Sequence, residues 1–410
     1  MLKGNAVVGQ SGGPTSAINA TLCGVIKGCA TLHQSGVIDK LYGMRNGIEG
    51  FLNENLVDLT CRFADTEWQD TLKVTPAAAL GSCRRKLKSW ETDFETYERI
   101  VNIFKKYNIR YFFYIGGNDS MDTVLKLSEY AKNHDYELRV VGIPKTIDND
   151  LVATDHTPGF GSAAKFVATT VNEMLRDINV YTVKAVTIVE IMGRDAGWLT
   201  ASSALPILNG VAPDLIYLPE RVFDTEIFIE DVKKALDRHP AVMVCVSEGV
   251  RFADGEYVGS GGQSGAVDVF GHKYLSGTGK VLESIVKERI GCKVRSVELN
   301  LPQRCGAHLL SAVDIDESLR VGASAVKAAD ASVSEVMMTI NRVSTAPYAS
   351  EMGHSPVAAI ANQVRRVPDE FINEAGDNVT DACCHYLAPL IVGEATPDYV
   401  GGLPAFYSFD

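Results

Sequence analysis

Long apolar runs are missing from this 410-residue chain: no eighteen consecutive residues are apolar, so no stretch reads as a membrane span. The first residues lack the charged and then long apolar pattern of a secretory signal, and a cytoplasmic location is the expectation. Positive charge is scarce. Lys and Arg number 39 against 51 Asp and Glu, a formal net charge of -12. That balance argues against nucleic-acid or anionic-membrane partners and requires any phosphate ester to be met by a local cluster of cations. Paired cysteines are absent too. The nine are odd in number, form no C-x-x-C, and only Cys383 and Cys384 are adjacent, so neither a disulfide framework nor a zinc site is outlined and reduced core thiols are expected. The eight histidines are scattered without ligand spacing. No G-x-x-x-x-G-K-[ST] loop, solenoid repeat or low-complexity tract occurs.

What is present is 46% hydrophobic residues over a length sufficient for two sizeable cores, so two lobes are expected. Asn5-Ala6-Val7-Val8-Gly9 reads as a first strand, Ser11-Gly12-Gly13-Pro14 as a turn, and residues 15–30 as a helix with small and apolar residues on one face. Tyr111-Phe112-Phe113-Tyr114-Ile115, aromatic and β-branched, reads as a buried strand entered from a helix over 93–106. Further helices are expected over 121–133, 161–177, 226–237 and 280–290, and strands over 138–143, 185–190, 241–246 and 294–299. This alternation predicts a mostly parallel sheet in each lobe with helices on both faces. Residues 254–279 hold eight glycines and little periodicity, and read as a mobile surface loop or lid.

Two segments concentrate chemistry. Gly116-Gly117-Asn118-Asp119-Ser120 follows the aromatic strand. Its glycines permit a tight bend close to a ligand, and Asp119 or Ser120 can cap a helix beginning near Met121 whose N-terminus is aimed at an anion. Pro144-Lys145-Thr146-Ile147-Asp148-Asn149-Asp150 follows the next strand and sets a lysine and two carboxylates within six residues. Loops at the carboxyl ends of adjacent strands share one crevice in an open α/β sheet, so both should face the same ligand. Each motif taken singly also has a plain structural reading. The two glycine segments could be tight turns, the lysine and carboxylate loop could be solvated, and Arg194, Arg295, Gln303 and Arg304 could be surface positions.

In order, Ser11-Gly12-Gly13, Gly81-Ser82-Cys83-Arg84, Gly116-Gly117-Asn118-Asp119, the Pro144 to Asp150 motif, Glu190-Ile191-Met192-Gly193-Arg194, Ser247-Glu248-Gly249, Arg295 and Pro302-Gln303-Arg304 resemble the 6-phosphofructokinase family, over about residues 4–330. The resemblance implies an α/β fold of two similar Rossmann-like three-layer lobes with the active site in the cleft between them. It implies a phosphoryl-donor lobe over 1–159, completed by about 303–350. A sugar-phosphate lobe over 160–302 would be completed by C-terminal segments, and an extension over 351–410 carries no motif that can be interpreted. Fructose 6-phosphate would accept a phosphoryl group on its 1-hydroxyl, with Mg2+, in a homodimer or homotetramer.

By the same resemblance Asp148 is the base. Thr146 and Asp150 support the sugar hydroxyls and the loop, and Arg194, with the backbone of Met192 and Gly193, stabilises the phosphoryl group and holds the sugar. Glu248 accepts from sugar hydroxyls, Arg295 and Arg304 hold the 6-phosphate, and Gln303 joins the substrate contacts. Gly12, Gly13 and Arg84 fall where the family binds the donor, and Asn118 where most members use an aspartate at magnesium. Leu301 replaces a histidine near the sugar phosphate, and Ala185, beside Lys184, stands where relatives lend an arginine to a neighbouring site.

ATP-using members carry glycine at the positions of Asp119 and Lys145. A carboxylate at 119 would occupy the space of a nucleotide α-phosphate and repel it. Pyrophosphate ends short of that space, and the Lys145 ammonium can offset its charge in the transition state. The resemblance thus implies the pyrophosphate-dependent branch, forming fructose 1,6-bisphosphate and phosphate reversibly in glycolysis or gluconeogenesis. An ATP-dependent enzyme with a shifted nucleotide and a noncatalytic regulatory subunit are the alternatives. Retention of Asp148, Lys145 and Arg194 together argues against the second.

Overall fold

Residues 2–64, 67–262 and 277–408 are described by a computed structural model. Strands β1 (Gly4–Gln10), β2 (Ile38–Met44), β3 (Leu56–Asp58), β4 (Ile109–Gly116) and β5 (Arg139–Pro144) build a first sheet. Strands β6 (Ala185–Ile191), β7 (Leu215–Tyr217), β8 (Ala241–Ser247) and β9 (Lys293–Glu298) build a second. The chain then returns through β10 (Val336–Thr345) and β11 (Tyr348–Pro356), which extend the first sheet to the order β11-β10-β5-β4-β1-β2-β3; the second has the order β7-β8-β6-β9. Every pairing in the second sheet is parallel, whereas the first is antiparallel only at its edges, where β2 meets β3 and β10 meets β11.

Alternation along the strands decides what each face buries. On β4, Phe112 and Tyr114 enter a core with Tyr97 and Phe104, while Tyr111, Phe113 and Ile115 enter the opposite core with Ile18, Leu22 and Val25 of the helix Ile18–Gln34. On β6, Val189 and Ile191 face one core and Val186 and Ile188 the other. Both sheets are therefore covered on both faces, as parallel sheets require. The two lobes are three-layered but unequal, seven strands against four. No helix among the described residues is long and apolar enough to cross a membrane.

The structure departs from the sequence reading in instructive places. The helix after β4 starts at Asn118, not near Met121. Its N-cap is Gly117, in extended conformation and without a side-chain cap, so Asp119 and Ser120 lie inside the first turn rather than capping it. The reason is that β4 pairs with β5 as far as Gly116 opposite Pro144, which leaves one residue to turn the chain. Of the expected lid, residues 263–276 lie outside the described residues. Short β3 and β7 gave no periodic signal, and β10 and β11 owe their place to distant partners.

The first crossing between lobes, residues 151–159, is pinned by a buried charge cluster. His156 stands 2.8 Å from Asp155 through Nδ1 and 2.6 Å from Glu317 through Nε2, and Arg342 donates to the same Asp155 oxygen at 3.0 and 3.1 Å. Burial opposes the imidazolium, but its hydrogen bonds to Asp155 and Glu317 outweigh that and lift the His156 pKa to about 9. A raised folded pKa stabilises fully below the free imidazole value of about 6.5 and ceases to stabilise once the pH has passed the folded value. The wild type should therefore lose on the order of 3 kcal/mol between about pH 6 and 9.5 from this group. Urea unfolding should show that step in the wild type and not in His156→Gln; parallel pH curves for the two proteins would show that the cluster does not carry it.

Candidate active site

Three loops leave the carboxyl ends of β1, β4 and β5, neighbours in the first sheet, and face two loops leaving β6 and β8, neighbours in the second. Between them lies a cleft of about 480 Å³. It is lined by Gly12, Gly13 and Arg84; by Asn118 and Asp119; by Lys145, Thr146, Asp148 and Asp150; by Met192, Arg194 and Glu248 after the second sheet's strands; and by Arg304 of the short helix Pro302–Cys305. Most residues singled out in the sequence are thus brought together.

The turn after β1 is held against Lys145 and the segment carrying Arg84. Gly12 has φ +77°, a left-handed conformation that favours glycine, and a side chain there would begin 3.5 Å from Lys145 Nζ. Its N–H donates to Cys83 O at 3.1 Å and its carbonyl accepts from Ser82 Oγ at 2.6 Å, which ties the turn to the segment carrying Arg84. Lys145 is buried and donates to the Gly13 carbonyl. Withdrawal from water pushes its pKa down to about 8, with Asp148 pulling the other way.

Asp148 is pushed up by burial and pulled back by Lys145, then Arg194. Its N–H donates to Thr146 Oγ1 at 3.0 Å, so Thr146 holds the loop's shape. Asp150 is pushed up to about 7, first by burial and then by the neighbouring Asp148 charge. Opposite, burial lifts Glu248 to about 7. Glu248 also accepts the Gly193 N–H at 3.2 Å. Gly193 has φ +135°, and a side chain there would begin 2.6 Å from Ala196 O, so only glycine fits this bend. The Arg194 guanidinium enters the cleft with Nε buried and no hydrogen-bond partner among the described residues. A buried guanidinium nitrogen without a partner is costly unless a ligand supplies one.

Several expectations need correction. Arg295 is exposed on the edge strand β9 and does not line this cleft. Gln303 is buried behind the wall, where its Oε1 accepts the Met192 N–H at 3.2 Å; it positions the loop rather than lining the cleft. Gly193 acts in the same way, through its backbone. Asn118 has both side-chain ends engaged, Oδ1 accepting the Asn362 N–H at 2.6 Å and Nδ2 donating to the Gln363 carbonyl, so it is not poised to ligate magnesium. Among the described residues no cluster of three or more His, Cys, Asp or Glu could hold a metal.

Other residues escaped the sequence reading. Lys86 lines the cleft and pairs with Asp119 at 3.0 Å, which offsets the carboxylate charge counted on to repel a nucleotide. The run Arg84-Arg85-Lys86 in a chain short of cations was the available signal. Asn362 and Val364 of the segment after β11 also line the cleft, and nothing local in the sequence marks them.

Comparison with known proteins agrees with this arrangement. The family model for phosphofructokinase matches residues 5–329. A pyrophosphate--fructose 6-phosphate 1-phosphotransferase of Xanthomonas campestris pv. campestris is 42% identical, covering 100% of this chain and 96% of its own length; one of Methylococcus capsulatus is 41% identical, covering 98% and 95%. The crystal structure of a pyrophosphate-dependent phosphofructokinase from Marinobacter aquaeolei superposes with a TM-score of 0.87 at 36% identity, covering 98% of this chain and 95% of that one. A two-lobed α/β frame, an interlobe cleft carrying the lysine and carboxylate loop, and likeness along the whole length all converge: the chain belongs to the phosphofructokinase family.

Proposed function

We propose that this protein is a pyrophosphate-dependent 6-phosphofructokinase, transferring a phosphoryl group reversibly between pyrophosphate and the 1-hydroxyl of fructose 6-phosphate. The observation that carries the reading is the buried Lys145 packed between the Gly12-Gly13 turn and Asp148. A fixed cation there serves a short, highly charged donor that has no nucleoside to anchor it. Asp148 takes the proton of the 1-hydroxyl as its oxygen bonds to the nearer phosphorus, the bridging P–O bond breaks, and phosphate leaves. Lys145 and Arg194 offset the charge on the moving group. Arg304, across the Gly13 turn, is the cleft cation for the 6-phosphate, and Glu248 with Asp150 receives the sugar hydroxyls.

Magnesium fits as part of the donor. With Asn118 engaged and Asp148 assigned to the proton, Asp119 is the cleft carboxylate on the donor helix that would face an ion carried by pyrophosphate, and such an ion would supply charge neutralisation there. The nine cysteines, all free, accord with a cytoplasmic location. Exposed Val180, Tyr181 and Val183 accord with assembly as a homodimer or homotetramer.

The test is formation of fructose 1,6-bisphosphate from fructose 6-phosphate and magnesium with either pyrophosphate or ATP. Turnover with pyrophosphate alone is expected; turnover mainly with ATP would overturn the donor, and silence with both would indicate a noncatalytic subunit. The pH profile adds a second check. Activity needs Asp148 unprotonated and Lys145 protonated, so kcat/KM for pyrophosphate should fall on the alkaline side from about 8, where Lys145 loses its proton. On the acid side it should fall at a higher pH than an ordinary carboxylate would give. Lys145→Met should lose the alkaline limb.

A further inference from the structure

We propose that Asn362 and Val364 form a length gauge for the phosphoryl donor, closing the cleft beyond Asp119 against any donor longer than a diphosphate. The proposal rests on the reading of the cleft as a pyrophosphate site. Its starting point is the Lys86 and Asp119 pair: with the carboxylate charge offset at 3.0 Å, repulsion alone is a weaker barrier to longer donors than the sequence suggests, and a second element is needed.

The segment after β11 supplies one. The Asn362 N–H is held by Asn118 Oδ1 at 2.6 Å, the Gln363 carbonyl accepts from Asn118 Nδ2, and Asn362 Nδ2 reaches Asp122 Oδ1 at 3.4 Å. Asn118 is the sequence neighbour of Asp119, so these bonds seat the segment beside the carboxylate. At its other end the Arg365 N–H donates to the Asp150 carbonyl at 2.7 Å, and Trp198 Nε1 donates to the Arg365 carbonyl at 3.1 Å. The stretch is thereby fastened to the donor helix, the catalytic loop and the second lobe at once. Asn362 sits at φ 64°, a left-handed conformation that hydrogen bonds on both sides keep in place.

The wall so formed suits exclusion. Val364 is 44% exposed, an apolar side chain in a cleft otherwise furnished with Lys145, Arg84 and Lys86. Phosphate oxygens driven against its methyls would lose water without gaining a partner. A donor that ends before Asp119 avoids this wall, whereas a third phosphoryl group or a nucleoside would have to displace it.

Asn362→Gly keeps the left-handed backbone accessible and Val364→Ala removes only methyls, so the double variant opens the wall without cutting the segment. Relative kcat/KM for inorganic tripolyphosphate against pyrophosphate should rise about tenfold in this variant, and further when Asp119→Gly is added. Calorimetric titration of the same proteins with the two polyphosphates should show the same shift in relative affinity, whether or not the variants turn over. A ratio within about twofold of wild type in both backgrounds, by rate and by binding, overturns the gauge. The wild-type assay separates this from the underlying reading: a wild type that prefers ATP removes the pyrophosphate assignment and the gauge with it, whereas a wild type that uses pyrophosphate with unmoved ratios removes the gauge alone.

Discussion

Asp148→Asn is expected to lower kcat by about 10³-fold in either direction of the reaction while leaving the affinity for fructose 6-phosphate within a few fold. The amide has the carboxylate's shape and preserves the backbone bond to Thr146 Oγ1, but it cannot take the hydroxyl proton. The effect should be large because the position is tuned: burial raises the Asp148 pKa, and Lys145 with Arg194 keeps the carboxylate charged enough to serve. Removing the carboxylate also leaves Lys145, Arg194 and Arg304 less balanced, so binding must be measured separately from turnover, by calorimetry with fructose 6-phosphate alone. Retention of activity within a few fold would mean that another group, Asp150 being nearest in sequence, takes the proton.

Lys145→Met should rank next, with a loss of about 10² to 10³ in kcat with pyrophosphate. Methionine fills the same buried channel beside the Gly12-Gly13 turn but brings no charge. Two effects compound. The Gly12-Gly13 turn loses its neighbouring ammonium, and Asp148 loses the first of the charges that hold its pKa down, so its proton is released at higher pH. The acid limb of the pH profile should accordingly move to higher pH in this variant, a change that a merely structural loss would not produce. If kcat falls less than tenfold and the acid limb stays in place, Arg194 carries the compensation that Lys145 is credited with here.

Legibility in the sequence followed the range of the interactions. The strands around Phe112, Val141, Ile188 and Val244 announce themselves through local composition, because burial on both faces demands continuous apolar residues. The loops at their ends follow from the same register, which marks the Gly116–Ser120 and Pro144–Asp150 segments, whereas Gly12, Arg194 and Arg304 are named through the resemblance to the family. What stayed hidden depends on contacts far apart in sequence. Asn118 reads as a metal ligand until its two ends are seen bound to Asn362 and Gln363, more than 200 residues away. That Arg295 lies exposed on an edge strand, away from this chain's cleft, follows from strand pairings no local stretch reveals. Lys86 could have been counted with Arg84, but its pairing with Asp119 could not.

The crossing at residues 151–159 has a mechanical meaning as well as a thermodynamic one. It begins one residue after Asp150, so the base lies beside the pivot about which the lobes would turn. Displacement in a rotation grows with distance from the axis. Any closing stroke would therefore leave Asp148 and Lys145 nearly stationary against the donor turn while carrying Arg194 and Glu248 through the larger arc. In such a rotation the donor side would be the still jaw of a vice and the sugar side the one that travels.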